Sequence, residues 1–158
     1  MRLLTAICIL WAALGPNARA DFALVYPGPD GVQQETVLTL ADLAALPQAT
    51  LRTGNDFVDG SRDFRGPRAA DVVALLDGLP AAVDEAFLTA ANDYTTTVPL
   101  SDFARFGVIL AMQMDGAPLS RRDKGPIWLI YPIDDFDELR DPSINNRLIW
   151  QLVRMELR

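Results

Sequence analysis

No histidine occurs in the 158 residues, and the single cysteine, Cys8, lies within the first apolar run. The chain opens MRLLTAICILWAALGPNARA, with an early arginine, an apolar stretch from Leu3 to Leu14, and Ala18-Arg19-Ala20 in the small-x-small form of a signal peptidase site. That apolar stretch falls short of the roughly 20 residues that span a bilayer. The expectation is a secretion signal over residues 1–20, cleaved after Ala20, and export to a periplasm rather than a membrane anchor. Cys8 sits inside the apolar region rather than after it, which does not match a lipoprotein cysteine. Residues 21–158 would then form one domain with neither thiol nor imidazole. That excludes disulfides, thiolate or imidazole metal sites, covalent haem attachment and every nucleophile activated by histidine.

Positive charge is also scarce, with 14 Lys and Arg against 21 Asp and Glu, a net −7. Loss of Arg2 and Arg19 with the signal would leave −9. Such a surface repels nucleic acid and anionic lipid, so neither is an expected partner. The chain has no Asp-rich calcium loop, no glycine-rich phosphate loop, no repeat and no long linker. Carboxylate chemistry, a lysine base or an all-oxygen calcium site stay open, but catalysis is the weaker reading.

What is present is a series of short elements. Ala23 to Tyr26 and Val37 to Leu40 read as strands around the turn Pro27-Gly-Pro-Asp-Gly31. Thr39 can cap a short helix carrying Leu40, Leu43 and Leu46 until Pro47 stops it. Ala49 to Thr53 reads as a strand, followed by the loop TGNDFVDGS. Beyond Phe64-Arg65-Gly66-Pro67 the pattern RAADVVALLDG predicts a helix that buries Val72, Val73, Leu75 and Leu76 and ends at Gly78. Phe87 to Ala91 and Thr95 to Leu100 flank Asn92-Asp93-Tyr94, and Val108 to Met114 leads into the turn at Asp115 to Pro118. Ile127 to Tyr131 is a further short strand. Leu148 to Leu157 is apolar at several phases, so periodicity leaves strand and helix both open there. Strands with a few short helices predict an α+β domain of mixed sheets.

The segments FRGPRAADVVALL, LTAANDYTTTVPLSDF, VILAMQMDGAPLSRRDKGPIWLIYP and RLIWQLVRMEL, in this order, resemble the molybdopterin-binding domain of sulfite oxidase-type oxidoreductases. The likeness covers roughly Val37 to Leu157. In that family a cysteine between the first strand and the Phe-x-Gly element ligates molybdenum. The corresponding loop here, LRTGNDFVDGSRDF, offers none. Hard side chains such as Thr53, Asn55 or Asp56 do not replace a soft thiolate, so no molybdenum is expected. Short, exported, cysteine-free chains of this kind look like periplasmic pterin-binding regulators. The resemblance implies a pterin held non-covalently and, as partner, the periplasmic sensory domain of a membrane-bound diguanylate cyclase/phosphodiesterase. A ligand-free adaptor on the same fold is the alternative, and a molybdopterin-dependent oxidoreductase a weaker one.

A pterin presents a flat π-face and an edge of paired donors and acceptors. Stacking on an indole contributes about 1 kcal/mol beyond area burial, and a carboxylate or amide can read the edge. Trp128 is the stacking candidate, because Gly125-Pro126 lets backbone approach closely; its other reading is core packing. Arg121 and Arg122, with Lys124 beside them, form a cationic turn that the resemblance assigns to a polar tail, against the plainer reading of a solvated turn. Asn92, Asp93 and Tyr94 are edge-reading and cleft-lining candidates, or simply turn chemistry. Arg65, Asn55 and Asp56 are further cleft candidates, and Trp150 is assigned to the core.

Overall fold

The computed structural model describes residues 22–158; the expected signal at 1–20 lies outside the described residues. The chain runs β1 (Phe22–Pro27), β2 (Gln33–Leu38), α1 (Leu40–Ala45), β3 (Gln48–Thr53), β4 (Arg62–Pro67), α2 (Ala69–Val73), β5 (Glu85–Ala90), β6 (Thr95–Pro99) and α3 (Ser101–Phe106). It continues through β7 (Ile109–Ala111), β8 (Gln113–Met114), β9 (Ala117–Pro118) and β10 (Trp128–Ile130). Three 3-10 segments follow (Ile133–Asp135, Asp137–Arg140, Pro142–Arg147), and β11 (Leu152–Leu157) closes the chain. The strands form a five-stranded sheet in the order β2-β1-β11-β5-β6, a four-stranded sheet β3-β4-β8-β9 and the pair β10-β7. β1 and β11 pair in parallel and the other neighbours run antiparallel. This is the α+β architecture of mixed sheets that the pattern predicted.

Local chemistry explains the elements. Thr39 closes a capping box with Asp42: the Thr39 amide donates to the Asp42 carboxylate at 2.8 Å and the Asp42 amide donates back to the Thr39 hydroxyl at 3.2 Å. In β5, Ala86, Leu88 and Ala90 alternate inward, the period-2 signature of a sheet with one buried face. They pack with Phe22, Leu24, Met155 and Leu157 in the main core. A smaller core joins Phe64, Ile109, Ala111, Trp128 and Ile130. At Gly66 a Cβ would collide with the carbonyl of Leu110, so glycine is what lets β4 lie flush against β7.

Several boundaries differ from the sequence reading. The second strand is Gln33–Leu38 rather than Val37 to Leu40, because all six of its residues pair with β1. α2 ends at Val73, leaving Leu75 49% exposed, and Gly78 belongs to a later turn, at φ 72°, packed on Pro29. α3 was not foreseen; it stops at Gly107, which adopts φ 69°. The stretch 108–114 divides because Ile109–Ala111 pairs with β10 whereas Gln113 and Met114 pair with β4. Leu148 to Leu157 resolves as a 3-10 exit followed by strand β11.

Candidate functional site

Turn chemistry builds one wall of a pocket and an irregular segment builds the other. β5 and β6 are joined by Ala91 to Tyr94, in which Asp93 adopts φ 63° and the Asn92 side-chain oxygen accepts from the Tyr94 amide at 3.2 Å. Asn and Asp tolerate this geometry and close such turns through their own side chains. Opposite lies the 3-10 segment Pro142–Arg147, started by Asp141, whose carboxylate accepts from the Ser143 amide at 2.8 Å. Hydrogen bonds with Ser143 hold the Asp141 carboxyl below the ordinary aspartate range.

Between these walls is a pocket of about 260 Å³ lined by Asn92 and Tyr94 on one side, Asn145, Asn146 and Trp150 on the other, Phe57 at an edge, and Ala90, Leu148 and Ile149. No lining side chain carries a formal charge. The volume lies just below the about 300–1,000 Å³ of sites for drug-sized molecules. The Phe57 and Trp150 rings meet edge to face at 4.9 Å. Tyr94 donates its phenol proton to the Asn146 carbonyl at 2.9 Å.

The loop between β3 and β4 lies against this region. Asn55 accepts from the Phe57 amide at 2.9 Å, while its side-chain nitrogen is buried with no partner. Asn145 donates to Asp56 at 2.6 Å, and its own side-chain oxygen is likewise buried and unpaired. Both unpaired atoms are buried rather than open to the pocket. Two further hard donors of the loop, Thr53 and Ser61, are hydrogen-bonded. The buried Thr53 hydroxyl donates to the Gly54 carbonyl at 3.2 Å and accepts from the Asp134 amide at 3.2 Å. Asp134 accepts from Ser61 at 2.7 Å and from the Gly54 amide at 2.8 Å, and these bonds hold its carboxyl below the usual carboxylate range. Among the described residues, no three His, Cys, Asp or Glu side chains converge.

The candidates from sequence divide sharply. Asn92 and Tyr94 line the pocket, and Asn55 and Asp56 stand behind its Phe57–Asn145 edge. Trp128 does not line it. The indole is 0% exposed, donates to the Leu148 carbonyl at 3.0 Å, and meets Phe64 and Trp150 edge to face at 5.4 and 6.4 Å. The close approach at Gly125 is real, but it is made against the Leu119 backbone rather than against a ligand. Trp150, assigned to the core by its apolar context, is the tryptophan of the pocket.

The cationic turn stays outside. Arg121 and Arg122 are exposed and absent from the lining. The turn is fixed through its backbone, with Gln151 donating to the carbonyls of Arg121 and Asp123. Lys124 pairs with Asp123 and sits 5.5 Å from the Trp128 ring. Asp93 serves the turn through its positive φ and is exposed. Arg65 is exposed on β4, paired across the strands with Thr50 and Gln113, and does not reach the pocket. The residues that sequence reasoning missed are Asn145 and Asn146. The only available signal was two amides placed just before an apolar run ending in Trp150.

Comparison with known proteins yields two findings. A family model described as the oxidoreductase molybdopterin binding domain matches residues 16–134. The fold is similar to that of the sulfane dehydrogenase SoxCD from Paracoccus pantotrophus, with a TM-score of 0.63 at 16% identity, over 86% of this chain and 38% of that one. The chain thus spans well under half the length of that neighbour. No curated protein matches.

Proposed function

The chain belongs to the oxidoreductase molybdopterin binding domain family, and from that membership we propose that it is a non-catalytic, exported pterin-binding protein. The pterin-loaded form regulates a membrane-bound diguanylate cyclase/phosphodiesterase through that enzyme's periplasmic domain. The observation that carries the ligand part is the uncharged pocket of Asn92, Tyr94, Asn145, Asn146 and Trp150. Amides carry both a donor and an acceptor, the kinds of group that pair with a pterin edge, and Trp150 adds an indole to the lining.

The metal of the family does not fit this donor set. In the loop where the family places its thiolate, Thr53 and Ser61 are hydrogen-bonded, Asp56 accepts from Asn145, and Asn55 is neutral. None is a soft ligand. The partner and the export rest on the likeness to short cysteine-free regulators and on the leader-like first 20 residues.

The test is a titration with reduced and oxidised pterins, followed by tryptophan fluorescence and calorimetry, in wild type and Trp150→Leu. Saturable binding that weakens in the variant supports the reading. Folded protein that gives neither heat nor quenching with any pterin overturns the ligand role and leaves the adaptor. That alternative draws on the exposed apolar Val32, Val37 and Leu75, which form no part of the pocket.

A further inference from the structure

The two edges of the five-stranded sheet are guarded unequally. β6 has five residues and ends in Pro99, and proline is one of the devices that blunt an edge. β2, at the other edge, is not blunted in this way: Gln33–Leu38 holds no proline, lysine or arginine, and its six pairs with β1 run without a bulge. The Gly28 amide donates to the Val32 carbonyl at 2.8 Å, which sets the phase of the hairpin. Bonded pairs alternate along an antiparallel ladder, so Gln34, Thr36 and Leu38 turn their backbone groups toward β1, and Gln33, Glu35 and Val37 turn theirs outward. Among the described residues these outward groups meet no other strand. Val37 is 52% exposed, and Val32, just before the strand, is 60% exposed.

Charge selects what can pair there. From Asp21 to Leu51 the chain has no lysine or arginine, while Asp30, Glu35 and Asp42 are acidic. Asp30 closes the hairpin on the Val32 amide, and Asp42 caps α1. Arg154, which meets Glu35 at 2.9 Å, is shared with Glu156 at 3.8 Å, so the surround of the strand stays acidic. A second copy would set this edge against its own charge in a molecule of net −7. We propose that β2 is a docking edge that takes an extended segment of a partner protein as a further strand, with Lys or Arg opposite Glu35 and an aliphatic side chain opposite Val37. Main-chain bonds to Gln33, Glu35 and Val37 supply the affinity of such an addition, and the alternating side chains its selectivity. The partner arm rests on the reading of the chain as a regulator that acts through another protein; the edge itself involves no residue of the pocket.

The experiment follows the backbone amides of isotope-labelled, pterin-free protein by NMR during titration with the peptide acetyl-Thr-Lys-Thr-Val-Thr-Lys-Thr-amide, in wild type and Val37→Lys. The peptide sets Lys opposite Glu35 when its Val faces Val37. The substitution gives β2 the lysine with which natural edges are guarded, at a side chain exposed enough to leave the fold alone. In wild type the β2 amides should shift saturably, and those of Gln33, Glu35 and Val37 should exchange more slowly with solvent. Val37→Lys should weaken binding at least about tenfold, and the same peptide with Glu in place of Lys should not bind. No shift at millimolar peptide, shifts centred away from β2, equal binding of the two peptides, or an unchanged Val37→Lys each overturns the docking edge. Protein that is dimeric with protected β2 amides before peptide is added, and monomeric as Val37→Lys, gives the edge to a second copy and overturns the basic partner. Val37 is no part of the pocket, so a pterin titration of the same proteins separates the two readings. Pterin binding without peptide binding removes the edge alone, and peptide binding without pterin binding removes the pterin reading alone.

Discussion

Trp128 and Trp150 stand edge to face, 6.4 Å apart, yet only Trp150 borders the pocket. Trp128 is sealed between Phe64 and Trp150 with its ring nitrogen bonded to Leu148, so it acts on the pocket by holding the wall in place. Truncating it removes core contacts: Trp128→Ala is expected to cost about 3–5 kcal/mol in urea denaturation. Trp150→Leu keeps apolar bulk at a half-buried position and is expected to weaken pterin binding about fivefold, the equivalent of about 1 kcal/mol of stacking. Its unfolding midpoint should move much less than that of the Trp128 variant. Equal effects of both on binding, at matched stability, would contradict this division of roles. Asp134 makes a separate prediction. Ser61 and the Gly54 amide bond its ionised form and depress its pKa, so its contribution is fully present above the unfolded aspartate value of about 3.9 and is lost as pH falls through the folded value. Asp134→Asn should therefore lower stability at neutral pH, and the gap to wild type should narrow as the medium is acidified below about pH 4. Thermal melts between neutrality and pH 3 measure it, and a gap that stays constant with pH would refute the role of the charge.

At the level of elements, α3 and the 142–147 segment share one buried carboxylate. Asp102 binds Arg147 and the fully buried Tyr131 phenol, and burial together with the Asp102 charge pushes the Tyr131 pKa well up, so the phenol stays a proton donor. Tyr131→Phe removes a buried bond to a carboxylate and should cost about 1.5–3 kcal/mol. Asp102→Ala leaves the phenol and a partly exposed guanidinium unpaired and should cost about 1–3 kcal/mol. It should also loosen Asn145 and Asn146, so denaturation and pterin affinity should both report the change, and a variant that loses stability with affinity intact would detach α3 from the site. The same elements show what sequence makes legible. β5 reads cleanly because Ala86, Leu88 and Ala90 alternate inward, and α1 reads because its capping box lies within four residues. β11 was ambiguous because its register shifts between Leu152 and Arg154, which puts the buried Leu152 and Met155 three apart, a helical spacing inside a strand. Residues 133–147 carry half of the pocket's polar wall as 3-10 turns fixed by long-range bonds to Gly54, Asp56 and Asp102. No local period announces such bonds. Asn92 and Tyr94 were legible because turn chemistry between two clear strands marks a sheet end. Trp128 reads two ways because a glycine, a proline and three cations beside an indole look the same whether the ring faces a ligand or the core.

For the whole molecule, charge and site are separable. The chain carries a net −7, whereas the pocket lining holds no formal charge and the cations at Arg121 and Arg122 lie outside it. An acidic protein is steered to its partner by a complementary basic face, and that steering is screened by salt over about 10 Å at 0.1 M. Binding of an uncharged ring among amides and aromatic side chains is not. Raising the salt from 50 to 300 mM should therefore slow association with the proposed sensory domain about tenfold, while the calorimetric Kd for a neutral pterin moves less than about twofold. The contrast also bears on the cationic turn. If Arg121 and Arg122 held the ligand through an anionic tail, a phosphorylated pterin would bind more tightly than its neutral parent and would lose that advantage in salt. With the turn outside the pocket and an acidic molecule around it, the phosphorylated form should gain nothing at low salt, and Arg121→Ala with Arg122→Ala should leave the affinity for either form unchanged.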